Sequence, residues 1–256
     1  MSFTIRLEFC NGSWREVQER ASRRSQGTRA ASLEETRALS WEEERHKALL
    51  RGAERDGFIL PAPEFQFPVI AGILRSALQN ENEINILDFG GSIGSVYFQF
   101  KSFLPFGTNI RWNIVELPET VEHGRKHFEN NELHFYYSID ECIRNTNPKI
   151  ILLSGVLQCL EAPDAVIRKC GEIGASTLII DRTTCSESVE DRLAVQIITS
   201  PGRYSEYPLW ILSEPRLIGE LSKHWQFLAS FESVVDGMVV VEDIPVHYRG
   251  FLFERD

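Results

Sequence analysis

Basic residues are scarce in this chain. Its 27 Lys and Arg face 37 Asp and Glu across 256 residues, a formal charge of −10. A surface of that sign repels phosphate backbones and anionic lipid, which argues against a nucleic-acid or membrane-surface partner. Long apolar runs are missing as well. No stretch of about 18 apolar residues is present, and the opening MSFTIRLEFCNGSW lacks the basic start and continuous apolar core of a signal peptide. The expectation is a cytoplasmic protein. Cys10, Cys142, Cys159, Cys170 and Cys185 are odd in number, widely spaced and free of any CxxC, so neither a disulfide framework nor a zinc knuckle is indicated, and no metal is expected.

Core-forming material is ample. Hydrophobic residues make up 43% of the chain and charged residues 25%, the balance of a globular protein with room for one elaborated domain. The first eighty residues are rich in Arg, Glu and Ala. They carry three capping-box pairs, Ser13 with Glu16, Ser32 with Glu35 and Ser40 with Glu43, and so read as helices. Breaks fall at Gly27, at Gly57 and around Pro61 and Pro63, and Phe65 to Leu78 reads as a more deeply buried helix.

From about Ile84 the texture changes. Short β-branched runs (84–89, 110–116, 133–138, 149–154 and 177–181) alternate with amphipathic stretches (94–104, 118–130, 140–145 and 162–172), the pattern of βαβ units around a parallel sheet. A helix over 213–223 and two late strands, 225–235 and 246–253, joined through Asp236 and Gly237, predict an antiparallel finish. The division is a helical extension over 1–80 and an α/β domain over 81–256.

The richest segment is ILDFGGSIGS, residues 86–95, a buried strand running into a glycine turn and a helix. Asp88 precedes Gly90 by two residues, and Glu116 ends the next strand at the spacing where an acid meets ribose hydroxyls. A dinucleotide fingerprint ending at Gly94 would need glycine where Phe89 stands. The pattern of an acid followed by alternating glycines is met by Asp88, Gly90 and Gly94, with Ser92 in the middle glycine position. An acid at 88 suits the amino group of an amino-acid moiety better than a pyrophosphate. A ligand-free strand-to-helix turn is the plain alternative.

The order LDFGGSIG, WNIVELP, FYYSIDEC, ILLSGVLQCLEAP and LIIDRTTCS resembles the class I S-adenosylmethionine-dependent methyltransferases, and within them a group associated with bacterial surface-polysaccharide loci. The resemblance implies a Rossmann-like sheet, mostly parallel with an antiparallel C-terminal strand. It further implies S-adenosyl-L-methionine as cofactor, with Asp88 near the methionine amino group, the backbone of Gly90, Gly91 and Gly94 facing the cofactor, and Glu116 on the ribose diol. Ser138 and Ile139 fall in the adenine position, where the usual acid is absent, and Ser154, followed by Gly155, Val156 and Leu157, falls on the sulfonium side. The implied reaction is methyl transfer to a small polar acceptor, with O-methylation of a sugar or surface-glycan precursor foremost.

For the acceptor side, Asp181 ends the fifth strand, where open α/β sheets bind ligands, and Arg182 beside it suits an anionic group. These two are the candidate catalytic residues; a pair that only shapes the turn is the plain alternative. Gln158, Gln196, Tyr207 and Trp210 are candidate substrate-binding residues, the last three on a stretch of about thirty residues (182–212) read as partly helical or as a lid. His123 and His127, at i and i+4 on a charged helix, read as a solvated face, and His224 and His247 stand isolated. Two other functions stay open: an NAD(P)-dependent Rossmann oxidoreductase, and a non-catalytic interaction module.

Overall fold

The structure is a computed structural model and describes residues 4–27, 35–55, 58–104, 109–200, 203–233, 239–241 and 244–255. In chain order its elements begin with β1 (Thr4–Phe9), α1 (Trp14–Gly27), α2 (Glu35–Leu50), β2 (Glu54–Arg55), β3 (Phe58–Ile59) and α3 (Phe67–Gln79). There follow β4 (Glu83–Phe89), α4 (Ser95–Lys101), β5 (Asn109–Val115), α5 (Pro118–His127), β6 (Leu133–Tyr136), α6 (Ile139–Asn145) and β7 (Ile150–Ser154). After a 3-10 turn (Leu157–Cys159) come α7 (Pro163–Glu172), β8 (Thr177–Ser186), β9 (Arg192–Ser200), β10 (Arg203–Ser213), α8 (Glu214–Leu221), β11 (Gln226–Glu232), β12 (Val239–Val241) and β13 (Ile244–Glu254).

Strands β6, β5, β4, β7 and β8 lie side by side in that order and parallel. β13 then pairs antiparallel with β8, and β11 antiparallel with β13. This is the mostly parallel Rossmann-like sheet with an antiparallel C-terminal strand that the sequence predicts. Side chains alternate across each strand, so Ile84 and Ile86 of β4 pack with α2, α3, α4 and α5, while Leu87 packs with α6, α7 and α8 on the other face. Prolines start several helices where a missing N–H costs nothing: Pro68 in α3, Pro118 in α5 and Pro163 in α7. The strand order reverses between β4 and β7, and the crevice at their carboxyl ends is where open α/β sheets bind ligands.

Three expectations are corrected. The stretch 182–212 is neither helical nor a lid but the tail of β8 and the antiparallel pair β9 and β10. Val195, Ile197, Ile198 and Thr199 supply the β-branched content, and both faces are covered, by α1 on one side and by Val241 and Val246 on the other, so no polar alternation marks these strands. The first eighty residues are not all helical, because β1 pairs antiparallel with β9 and forms an edge of the sheet. Ser40 with Glu43 lies inside α2 and starts no helix, whereas Ser13 does cap α1: its backbone N–H donates to Glu16 Oε2 at 2.7 Å. Ser32, Gly57 and the Asp236–Gly237 turn lie outside the described residues.

β8 changes neighbours along its length. β7 pairs with it up to Ser154 opposite Asp181, and β10 takes the same side from Cys185 opposite Leu212. Between these two partners the chain leaves β7 at Gly155, whose N–H donates to the Asp181 carbonyl at 2.9 Å, and enters the 3-10 turn, with Arg182 of β8 packed over Gly155.

Candidate functional site

The turn after β4 is shaped by close approaches. Gly90 (φ +74°) sits against Val156, where a Cβ would lie 2.5 Å from Cγ2, and a Cβ on Gly91 would lie 2.5 Å from Asp88 Oδ2. Glycine is therefore required at both positions for lack of space. Ser92 adopts the left-handed backbone itself, at φ +53°, so the departure from glycine leaves the turn intact. Its N–H donates to Glu116 Oε1 at 3.1 Å, and the other carboxylate oxygen of Glu116 accepts from the Leu117 N–H at 2.7 Å. Glu116 thus ties the tip of β5 to the glycine turn and, half-buried, keeps lone pairs for further donors.

Asp88 lies under this turn and is fully buried. Its Oδ2 accepts from the Trp112 indole N–H at 2.8 Å, and its Oδ1, equally buried, meets no donor. Burial raises its pKa from 3.8 to about 7; the Trp112 hydrogen bond opposes this, Glu116 adds to it, and the positive charge of Arg182 opposes it. A carboxyl poised at that value and missing one donor is suited to a cationic or hydrogen-bonding partner. Trp112, one of the largest fully buried side chains, was not readable as a site residue from sequence, since on a strand it looks like core.

The second cluster joins β7, β8 and the end of β11. Asp181 is fully buried: Ser233 Oγ donates to its Oδ1 at 2.8 Å and Ser154 Oγ to its Oδ2 at 3.1 Å. Arg182 Nε donates to Ser154 Oγ at 3.3 Å and stands 3.7 Å from Asp181 Oδ2. Opposite, β13 presents Gly250 where β8 has both Asp181 and Arg182, a β-bulge, and Arg182 takes φ +50°. The bulge turns the Arg182 guanidinium over Gly155, itself at φ +70°. The Arg182 carbonyl accepts from Gln158 Nε2 at 2.9 Å, and the buried Oε1 of Gln158 has no partner. Ser154, Asp181, Arg182 and Gln158 are therefore one constellation, with Ser233 the member that sequence reasoning missed.

The remaining candidates lie elsewhere. Ser138 caps α6 by accepting from the Glu141 N–H at 3.1 Å, at the tip of β6, and Ile139 beside it is buried. Trp210 flanks the 3-10 turn: its indole N–H donates to the Leu160 carbonyl at 3.1 Å, and Trp14 of α1 stacks on it at 5.9 Å. Gln196 and Tyr207 are cross-strand partners on the opposite face of that strand pair, where Gln196 Nε2 donates to the Tyr207 hydroxyl at 2.5 Å. The structure thus separates Gln196 and Tyr207 from Trp210. His123 and His127 sit exposed on α5, 4.6 Å between ring centroids, and among the described residues no group of three potential metal ligands occurs. None of the five cysteines forms a disulfide, and Cys142, Cys170 and Cys185 are buried. Past the end of β8, a cavity of about 610 Å³ is lined by Ser186, Glu187, Glu214, Ile218, His247 and Arg249.

No family model and no curated protein matches this chain. Among solved structures, it is similar to the N-terminal domain of EvdMO1 with SAH bound (14% identity, 86% of this chain and 97% of that one, TM-score 0.46). It is also similar to a SAM-bound amino pentose methyltransferase of calicheamicin biosynthesis from Micromonospora echinaspora (11% identity, 82% and 96%, TM-score 0.46). A third is the SAM-bound magnesium protoporphyrin IX methyltransferase from Synechocystis PCC 6803 (11%, 88% and 99%, TM-score 0.45). Likeness of this degree assigns neither a ligand nor a residue to this chain. Among the described residues, no helix is long and apolar enough to cross a membrane.

Proposed function

We propose that this protein is an S-adenosylmethionine-dependent methyltransferase acting on a small polar acceptor, with O-methylation of a sugar or surface-glycan precursor as the reaction. The observation that carries this reading is Asp88: a buried carboxyl with one orphaned oxygen, beneath a glycine turn, with an acid at the tip of the next strand. Those residues fit the cofactor. Asp88 offers a negative charge to an ammonium, the partly exposed backbone of Gly90 and Gly91 is open to contact, and Glu116 has lone pairs for a diol. A dinucleotide pyrophosphate, itself anionic, is repelled by a charged Asp88 beneath the turn, which disfavours the nicotinamide alternative. Residues 1–80 are read as an extension and 81–256 as the catalytic domain.

When bound, the cofactor supplies an electrophilic methyl group for in-line displacement. The protein's task is then to hold the acceptor in a near-attack geometry of about 3 Å. Arg182 is assigned to clamp an anionic group of the acceptor. Asp181, both of whose oxygens are engaged by serines, acts through Arg182 and fixes its direction. Gln158 and Trp210 form the wall between β7 and β10. Calorimetric titration with S-adenosylmethionine, S-adenosylhomocysteine and NADH tests the reading. Saturable binding of both adenosyl ligands, lost in Glu116→Ala, supports it; binding of NADH alone overturns it, and binding of none leaves the interaction module.

A further inference from the structure

The glycine turn is braced from a direction the cofactor reading does not use. α2 and β2, which precede the parallel sheet in sequence, pack behind α4, the helix that starts directly after Gly94. Leu49 is fully buried there, and Gly52 lies so close that a Cβ would stand 3.2 Å from the Gln99 Cα. At the centre is Glu54, 0% exposed, an uncommon position for a carboxylate. Ser95, the first residue of α4, donates its hydroxyl to Glu54 Oε2. From the other side Arg45 reaches Glu54 Oε1 with Nε at 3.0 Å and Nη2 at 2.9 Å. Gln99, one turn along α4, donates to the Glu54 backbone carbonyl at 3.4 Å.

We infer that Glu54 is a positioning residue for the ligand site: with Arg45 and Ser95 it pins the start of α4 and so fixes the Gly90–Gly94 turn. The physical grounds are these. A buried ion pair contributes little net stability compared with apolar packing of the same volume, but it fixes the relative placement of the groups it joins. Ser95 follows the turn directly, and the turn's other anchors, Asp88 and Glu116, lie on β4 and just past β5. Loss of the Glu54 anchor frees the α4 side of the turn while leaving those two intact. The role assigned to the segment before the sheet is thus to preorganise the cradle. This rests on the reading of the turn as a cofactor cradle, and the test separates the two.

The experiment uses the full chain as wild type, Ser95→Ala, Ser95→Thr and Glu54→Gln. Amide hydrogen exchange of residues 90–96 is followed in the ligand-free protein, with thermal midpoints and calorimetric titration of S-adenosylmethionine alongside. In Ser95→Ala and Glu54→Gln, exchange at 92–96 is expected to accelerate about tenfold relative to the β4 and β7 amides, and the cofactor Kd to rise by a similar factor. Ser95→Thr, which keeps the hydroxyl, restores both. Unchanged turn exchange, or acceleration spread equally over the whole sheet, overturns the inference and makes Glu54 a packing residue. Where wild type binds no S-adenosylmethionine, the cofactor reading fails and turn exchange alone decides the role of Glu54.

Discussion

Trp112 on β5 donates its indole N–H to Asp88 on β4, 2.8 Å away, across two neighbouring parallel strands. The bond satisfies one carboxylate oxygen and leaves the other facing no donor. A core aromatic thereby orients an acid under the glycine turn, and the acid's ionisation becomes linked to both folding and ligand binding.

Stability should fall as pH rises toward 7. Folding raises the Asp88 pKa from 3.8 to about 7, so between those values the folded protein holds a proton that the unfolded chain has released. The stabilisation present below pH 3.8 is lost progressively up to pH 7. Asp88→Asn removes the ionisation and keeps an acceptor for Trp112. Urea unfolding at pH 8 should show the variant more stable by on the order of 2 kcal/mol, with S-adenosylmethionine affinity reduced. A less stable variant at pH 8 would mean that the Asp88 charge is already compensated in the ligand-free protein.

Gly90→Ala combines a positive φ with a Cβ 2.5 Å from Val156. A loss of about 3 kcal/mol is expected. Adding Val156→Ala removes the Cγ2 contact but keeps the Val156 Cβ, itself only 2.9 Å from the new methyl, so it should recover about a third of the loss and leave the rest. Additive losses in the double-mutant cycle would place the cost elsewhere.

Ser92 already pays the left-handed conformation at φ +53°. Ser92→Gly trades that strain against the entropy of a freer unfolded chain, so the two should cancel to within about 0.5 kcal/mol. Ser92→Val, β-branched, should cost about 2 kcal/mol by thermal denaturation. Equal midpoints for all three would mean that the turn is not held in this conformation in solution.

Asp181→Asn removes a carboxylate 3.7 Å from the buried Arg182 guanidinium. The expected loss is about 3 kcal/mol, and Asp181→Asn combined with Arg182→Met should regain most of it. If Asp181 instead serves as a solvent-accessible base, the single variant keeps its unfolding midpoint and loses only turnover.

The central sheet was legible because its strands carry continuous apolar runs, such as Ile150 to Leu153, between proline- and glycine-marked helices. The glycine turn, Asp88 and Glu116 were legible because backbone approach and charge demand particular residue types at fixed offsets. What pairs with them was not. Trp112, Ser233 and Glu54 lie 24, 52 and 41 residues from the partners Asp88, Asp181 and Ser95, distances over which local sequence specifies no contact. The β9 and β10 pair escaped because strands covered on both faces lose polar alternation. The β8 bulge is invisible in LIIDRTTCS, because the extra residue shows itself only against its partner Gly250.

β1 and β9 meet through Thr4 opposite Thr199, so about 190 residues are synthesised between two strands that hydrogen-bond directly. At translation rates of about 5–20 residues per second, β1 waits roughly ten seconds or more on the ribosome before its partner exists. During that interval the parallel core from β4 to β7 can assemble, whereas β1 remains an unpaired strand. Nascent-chain folding of this protein should therefore reach the β1 edge of the sheet only after β9 emerges, later than the parallel core from β4 to β7.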